Sequence, residues 1–243
     1  MSRKRRHSRG GRFLFCLGLV ALFLLANNQI FRVREIVVNG VDDMTRSYII
    51  TLSGIREGDS LFDLNERNVQ TALSADPYLA FEGMDIQYPD TVILRVRQRN
   101  AAAAIAVGGV YVLIDETGQS LEHTTRLPEG MPFVTGVTID HSTVGTKLLS
   151  RPSDQIGTLL AIISALKDQN ALSLVAKIDV SDRNNLYLVT QGDVKAILGD
   201  NRLLPDKIAW LRASLDEMTR MGYTGGQLDL SSGKNAVFMP GDQ

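Results

Sequence analysis

Phe31-Arg-Val-Arg-Glu-Ile-Val-Val-Asn-Gly40 opens the part of the chain whose order of elements decides the fold. β-Branched residues fill it and an Asn-Gly pair closes it, the composition of a strand running into a turn. Met44 to Ser53 suits a short helix, since Met44, Tyr48, Ile49 and Leu52 recur on one face at helical spacing. Gly54 and Gly58 then interrupt the chain. A second short helix follows Asn65, a residue type favoured at the N-cap, with Val69, Ala72 and Leu73 on one side. Asp76-Pro77 ends it. Next, Met84, Ile86 and Tyr88 alternate with Asp85 and Gln87, while Val92, Leu94 and Val96 alternate with Ile93, Arg95 and Arg97. Pro89-Asp90 lies between the two runs, so they form a hairpin. The order β-α-α-β-β predicts an α+β module with both helices on one face of a small sheet.

Reading backwards from Phe31, the chain turns apolar. Phe13-Leu-Phe-Cys-Leu-Gly-Leu-Val-Ala-Leu-Phe-Leu-Leu-Ala26 has no charged residue. Arg3, Lys4, Arg5, Arg6, Arg9 and Arg12 precede it without a single acid. A run this short of the roughly 20 residues that span a bilayer also fits a signal-peptide core. Two features favour a retained anchor. Asn27, Asn28 and Gln29 are uncharged and Ile30-Phe31 resume the apolar character, so a membrane helix can occupy residues 13–31. The one candidate cleavage site, Leu24-Leu25-Ala26, has leucine where a small residue belongs. The basic block, residues 1–12, is then a cytoplasmic tail, and everything after Phe31 lies across the membrane.

Charge divides the same way. The whole chain sums to −1, but residues 13–243 hold 20 basic and 27 acidic residues, a charge of −7. An acidic exterior argues against nucleic acid or anionic lipid as the main partner. The basic tail reads as a topology signal. The only cysteine, Cys16, lies within the apolar run, so the exterior contains no disulfide and depends on core packing.

From Ala101 the pattern becomes mostly β. Val110–Asp115, a turn at Glu116-Thr-Gly118, and Gln119-Ser-Leu121 make a hairpin. An amphipathic helix follows Ser153, with Ile156, Leu159, Leu160, Ile163 and Leu166 in one stripe. Strands are expected near 174–180, 186–190 and 194–198. Pro205 starts a further helix whose apolar face is Ile208, Leu211, Leu215 and Met218. Gln227–Leu230 and Asn235–Met239, joined across Ser231-Ser-Gly-Lys234, form a terminal hairpin.

Catalytic chemistry needs a nucleophile, a base or a metal, and no such constellation is legible. His123 and His141 fall in predicted loops and His7 in the tail, without metal-ligand spacing. Ser164-Ala-Leu-Lys167 matches S-x-x-K, but no K-T-G or S-x-N partner accompanies it and both residues lie on the polar side of a leucine-striped helix. Ser232-Gly233-Lys234 lacks the first glycine of a phosphate loop and reads as a turn. No cofactor or metal site is expected. A chain that ends in a hairpin leaves a strand at its sheet's edge, with backbone groups open to a partner's strand.

The ordered landmarks resemble the FtsQ/DivIB family of bacterial cell-division proteins, and the first module resembles their POTRA domain. The residues that carry this are Phe31, Val33, Ile36, Val38 and Gly40, then Gly54, Gly58, Leu61 and Leu64. Tyr88-Pro89-Asp90-Thr91-Val92 and Leu94-Arg95-Val96 continue the likeness. Leu113-Ile114-Asp115 with Gly118 is similar to the family's LID-x-x-G, and Leu127-Pro128 through Gly136 to its next step. Family modules close on Glu-Arg-x-Pro-x-Ala; here Gln98-Arg99-Asn100-Ala101-Ala102 keeps the arginine alone. The resemblance implies a POTRA domain over 32–100 and an FtsQ-type β domain over 101–243. It implies a non-enzymatic, single-pass membrane scaffold of the division septum, whose partners are small division proteins of the FtsB and FtsL type. The matching docking residues are Leu228, Asp229, Leu230, Asn235, Ala236, Val237, Phe238 and Met239. Where the family often has Arg-Tyr after Asp-Leu, this chain has Ser231-Ser232. Two rival readings are a POTRA-bearing export or assembly factor and an anchored cell-wall enzyme. The first would carry many further strands of a barrel; the second would need the catalytic residues sought above.

Overall fold

The structure, a computed structural model, describes residues 30–139, 142–151 and 154–241. The expected tail, 1–12, and nearly all of the expected membrane helix, 13–31, lie outside the described residues, as do His7 and His141. Among the described residues no helix is long and apolar enough to cross a membrane. The chain divides into two compact units, one ending at Gln98 and the next beginning at Arg99.

The first unit contains β1 (Glu35–Asn39), α1 (Asp43–Ser53), α2 (Glu66–Leu73), β2 (Leu79–Gln87) and β3 (Thr91–Gln98). Its sheet has the order β1-β3-β2, with β3 parallel to β1 and antiparallel to β2. The alternation in β3 decides its two faces. Val92, Leu94 and Val96 are buried with Val38 of β1 against Ile49, Val69 and Leu73 of the helices. On the opposite face Arg95 pairs with Asp85, and Arg97 Nε lies 3.2 Å from Glu82. Asp42 caps α1 by accepting from the Thr45 N–H at 2.8 Å, and Asn65 caps α2 by accepting from the Arg67 N–H at 2.9 Å. Gly40 has φ +93°, and a Cβ there would stand 2.3 Å from the Val96 carbonyl oxygen. Only glycine lets the chain leave β1 so close to β3.

Two sequence expectations fail here. Met44 and Tyr48 are exposed, because Ile49 and Ser53 form the buried line of α1 and positions 44 and 48 sit roughly 140° round the helix from it. Tyr88 does not continue the inward face of β2, which stops at Gln87; it stands exposed in the turn.

The second unit contains β4 (Ala103–Val107), β5 (Val110–Ile114), β6 (Ser120–Thr124), β7 (Phe133–Thr135), α3 (Asp154–Asp168), β8 (Val175–Asp179), β9 (Leu186–Thr190), β10 (Val194–Gly199), α4 (Leu204–Met221), β11 (Gly226–Asp229) and β12 (Val237–Met239). All its strands join one sheet of nine, ordered β12-β11-β10-β9-β8-β7-β4-β5-β6. One face packs beneath α3 and α4. Ile105, Val112, Ile178, Leu188 and Ala196 from the strands share a core with Leu159, Ile163, Leu166, Ile208 and Leu211 from the helices. α3 buries more than the predicted stripe, since Ile162 and Ala165 are covered too. β4 is alanine-rich and reads weakly as a strand; it is one because β5 and β7 bond it on both sides and bury Ala103, Ala104 and Ile105.

Three charged side chains are buried in this unit. Asp115 accepts from the Gln119 N–H at 2.9 Å, from the Thr117 N–H and hydroxyl at 2.8 Å each, and from Arg99 Nη1 at 2.6 Å. Burial opposes its charge, but the bonds from Gln119, Thr117 and Arg99 outweigh it and hold the carboxyl below its ordinary value. Asp179 is similar. Burial is offset by the Thr135 hydroxyl at 2.6 Å, the Ser181 N–H at 3.0 Å and the Tyr187 hydroxyl at 2.8 Å, and its carboxyl is strongly depressed. Lys207, 1% exposed, donates to the Asp200 carbonyl at 2.9 Å and carboxylate at 3.0 Å. That ammonium, followed by the Arg202 N–H and guanidinium, lowers Asp200 to about 2.

These carboxyls are all depressed on folding. They add stability above the unfolded value of about 3.9 and lose it as pH falls towards the folded values. The melting temperature should therefore stay level from about pH 7 to 5 and fall steadily below about 4. Asp115→Asn should lower it at neutral pH and make the acid fall shallower, as followed by circular dichroism. Ile163→Ala, in the middle of the core, should cost about 2–5 kcal/mol in urea unfolding.

Candidate docking surface

The terminal hairpin begins after α4, which Gly222 closes in the left-handed conformation at φ +75°. β11 pairs parallel with β10, and β12 pairs antiparallel with β11 in the register Gln227↔Met239, Leu228↔Phe238, Asp229↔Val237. The turn between them is tied by its own side chains. Asp229 accepts from the Ser231 N–H at 2.9 Å, the Ser232 hydroxyl bonds Asn235 Oδ1 at 2.6 Å, and the Gly233 N–H reaches the Leu230 carbonyl at 3.0 Å. The Ser231 bonds hold the Asp229 carboxyl below its ordinary value.

Burial sorts the eight residues picked out by the sequence. Leu228 and Leu230 are 1% and 0% exposed, so their side chains belong to the core. Ala236 and Phe238 are half-buried against that core, and the Phe238 ring packs on Tyr223 with centroids 5.3 Å apart. Asp229 and Asn235 serve the turn. Val237 and Met239, two residues apart and therefore on one face of β12, are 51% and 43% exposed.

β12 ends the sheet, and among the described residues nothing pairs with its outer side. The opposite edge differs. There the loop at 145–148 bonds the start of β6, through Gly145 N–H to Ser120 O at 2.8 Å and Ser120 N–H to Thr146 O at 2.9 Å. Beside the hairpin runs a shallow apolar groove lined by Leu174, Val194, Leu215, Met218 and Tyr223. Tyr223 joins groove to hairpin, since it both lines the one and stacks on Phe238. Periodicity gave no sign of Tyr223; its only sequence mark is an aromatic just past a helix-ending glycine.

Gly226 holds the two strands of the hairpin close together. It has φ +113°, and a Cβ there would meet the Met239 oxygen at 2.8 Å and the Phe238 ring at 2.9 Å. In the sequence the position is marked by the doubled Gly225-Gly226 where β11 begins. The other sequence candidates do not gather. Ser164 is exposed on α3 and Lys167 pairs with Glu116. His123 is not in a loop but stands exposed on β6, because that strand runs on past Leu121 to Thr124.

Comparison with known proteins bears on both units. Residues 31–99 match the profile of the POTRA domain, FtsQ-type. The chain is 30% identical over 183 residues to the cell division protein FtsQ of Geobacter sp. (strain M21), covering 73% of this chain and 65% of that protein. It is 28% identical over 144 residues to the cell division protein DivIB of Clostridium acetobutylicum, covering 58% of this chain and 57% of the relative. The chain thus spans less than two thirds of either relative's length. The major extracytoplasmic domain of DivIB from Geobacillus stearothermophilus aligns with a TM-score of 0.34 at 14% identity, over 51% of this chain and 96% of that one.

Gly226→Val should force β12 away from β11. Amide exchange at 237–239 should quicken by about tenfold or more and stability fall by about 1–3 kcal/mol, the scale of such backbone strain, while exchange in β3 stays unchanged.

Proposed function

We propose that the chain is a member of the FtsQ/DivIB family of cell-division proteins and works as a non-enzymatic scaffold of the division machinery. In this reading residues 13–31 anchor it once in the cell membrane, the tail 1–12 stays in the cytoplasm, and both units work on the outer side at the septum. Its partners are small division proteins of the FtsB and FtsL type. They bind by adding a strand to β12, with Val237 and Met239 as the side chains they read and the groove beside Tyr223 as a seat for an apolar residue.

The open edge carries this reading. Three residues of β12 lie at the end of nine strands with two apolar side chains turned outward. A partner strand gains main-chain bonds from such an edge and specificity from every second side chain. The side chains at Leu228 and Leu230 take no part beyond supporting the hairpin.

Val237→Lys and Met239→Lys should each weaken co-purification of FtsB-type partners while leaving the circular-dichroism melt unchanged. Capture that is indifferent to both would move the site elsewhere. Phe238→Ala is a poorer probe, because removing a ring packed on Tyr223 and the core costs stability as well as contact. In cells, depletion should give filaments without septa; cells that divide normally would overturn the reading.

A further inference from the structure

At one end of the first unit three aromatic rings meet. Phe31 lies 5.4 Å from Phe62 and 5.7 Å from Tyr88 between centroids, and Phe62 lies 6.3 Å from Tyr88. Phe62 and Tyr88 are 62% and 57% exposed, and Ile30 beside them is 49% exposed. Three separate pieces of chain supply the patch: the segment leading into β1, the loop before α2, and the β2–β3 turn. Backbone bonds fix the first two together. Leu61 N–H donates to Phe31 O at 3.1 Å, Val33 N–H to Asp59 O at 2.9 Å, and Gly58 N–H to Val33 O at 2.8 Å. Arg34 N–H, bonded to Asp90 O at 2.8 Å, fixes the third.

We propose that this patch rests in the interfacial layer of the lipid bilayer, seating the first unit directly on the membrane. The proposal rests on the reading of residues 13–31 as an anchor, and length makes the connection. The uncharged run of 14 residues, 13–26, reaches about 21 Å as a helix, short of a hydrocarbon core about 30 Å thick. Extended to Phe31 it reaches about 28 Å, so Phe31 stands at the membrane boundary. No linker intervenes, because Phe31 is itself bonded to Leu61. Rings within about 6 Å of Phe31 then fall inside the headgroup layer, which adds several ångströms beyond the core on each side. Phenylalanine and tyrosine suit that depth, where an apolar ring body is buried and a hydroxyl stays wet. Nearby charges are mixed, with Arg34 3.7 Å from Asp90, so attraction is apolar and neutral lipid suffices as the probe.

The test uses the full chain reconstituted in phosphatidylcholine vesicles, with Trp210→Phe removing the one native tryptophan. Phe62→Trp and Tyr88→Trp place reporters in the patch. Met44→Trp, at a site 91% exposed in the same unit, is the comparison. Lipids brominated near the head of the acyl chain should quench most of the emission at positions 62 and 88 and shift it to shorter wavelength. The reporter at 44 should keep its emission. A chain that resists alkaline carbonate extraction yet shows no more quenching at 62 and 88 than at 44 overturns the proposal and leaves the anchor standing. A chain released by carbonate overturns both.

Discussion

The nine-stranded sheet presents an apolar face to two helices that cover it; the second unit depends on that burial. Val175 and Ile178 of β8, Leu186 and Leu188 of β9, and Val194, Ala196 and Leu198 of β10 belong to that core with α3 and α4. Each large side chain removed from water there contributes about 1.5–3 kcal/mol. The terminal hairpin shares the core through Leu228, Leu230, Ala236 and the inner side of Phe238. That leaves β12 held on one side alone, and a strand held on one side is free to be extended.

Polar groups do a different task in the same unit. Asp115, Asp179 and Lys207 are buried, and each closes a place where the chain turns away from the sheet. Asp115 gathers Thr117, Gln119 and Arg99 at the β5–β6 turn. Asp179 binds the ends of β7 and β9 to β8 through Thr135 and Tyr187. Lys207 ties α4 to the Asp200 turn that precedes it. Losing one partner of such a set strands a buried charge, which is costlier than losing an apolar contact of the same size. Arg99 gains a reason from this arrangement: it is the cation that neutralises the aspartate of the LID-x-x-G-like turn.

The two units expose surfaces of different chemistry. The β12 edge is a backbone surface with two apolar side chains, suited to another strand. The Phe31–Phe62–Tyr88 patch offers ring faces beside the end of an apolar run, a surface suited to lipid. Neither surface requires a catalytic group.

By itself the sequence determined the order of elements, because hydrophobic period and capping residues act locally. Val92, Leu94 and Val96 announce the inward face of β3, Asn65 its helix cap, and Ile208, Leu211 and Met218 the buried side of α4. The terminal hairpin was legible for the same reason. What only the tertiary structure decided are the relations between distant residues. Alanine-rich β4 is a strand because β5 and β7 flank it, and Lys207 is buried because Asp200 receives it. Met44, Tyr48 and Tyr88 lie outside the core because a helix line or strand end passes them by. Whether Leu228 or Val237 faces the core or solvent rests on which side of the sheet α3 and α4 cover, and that is a property of the assembled layers, which no local pattern encodes.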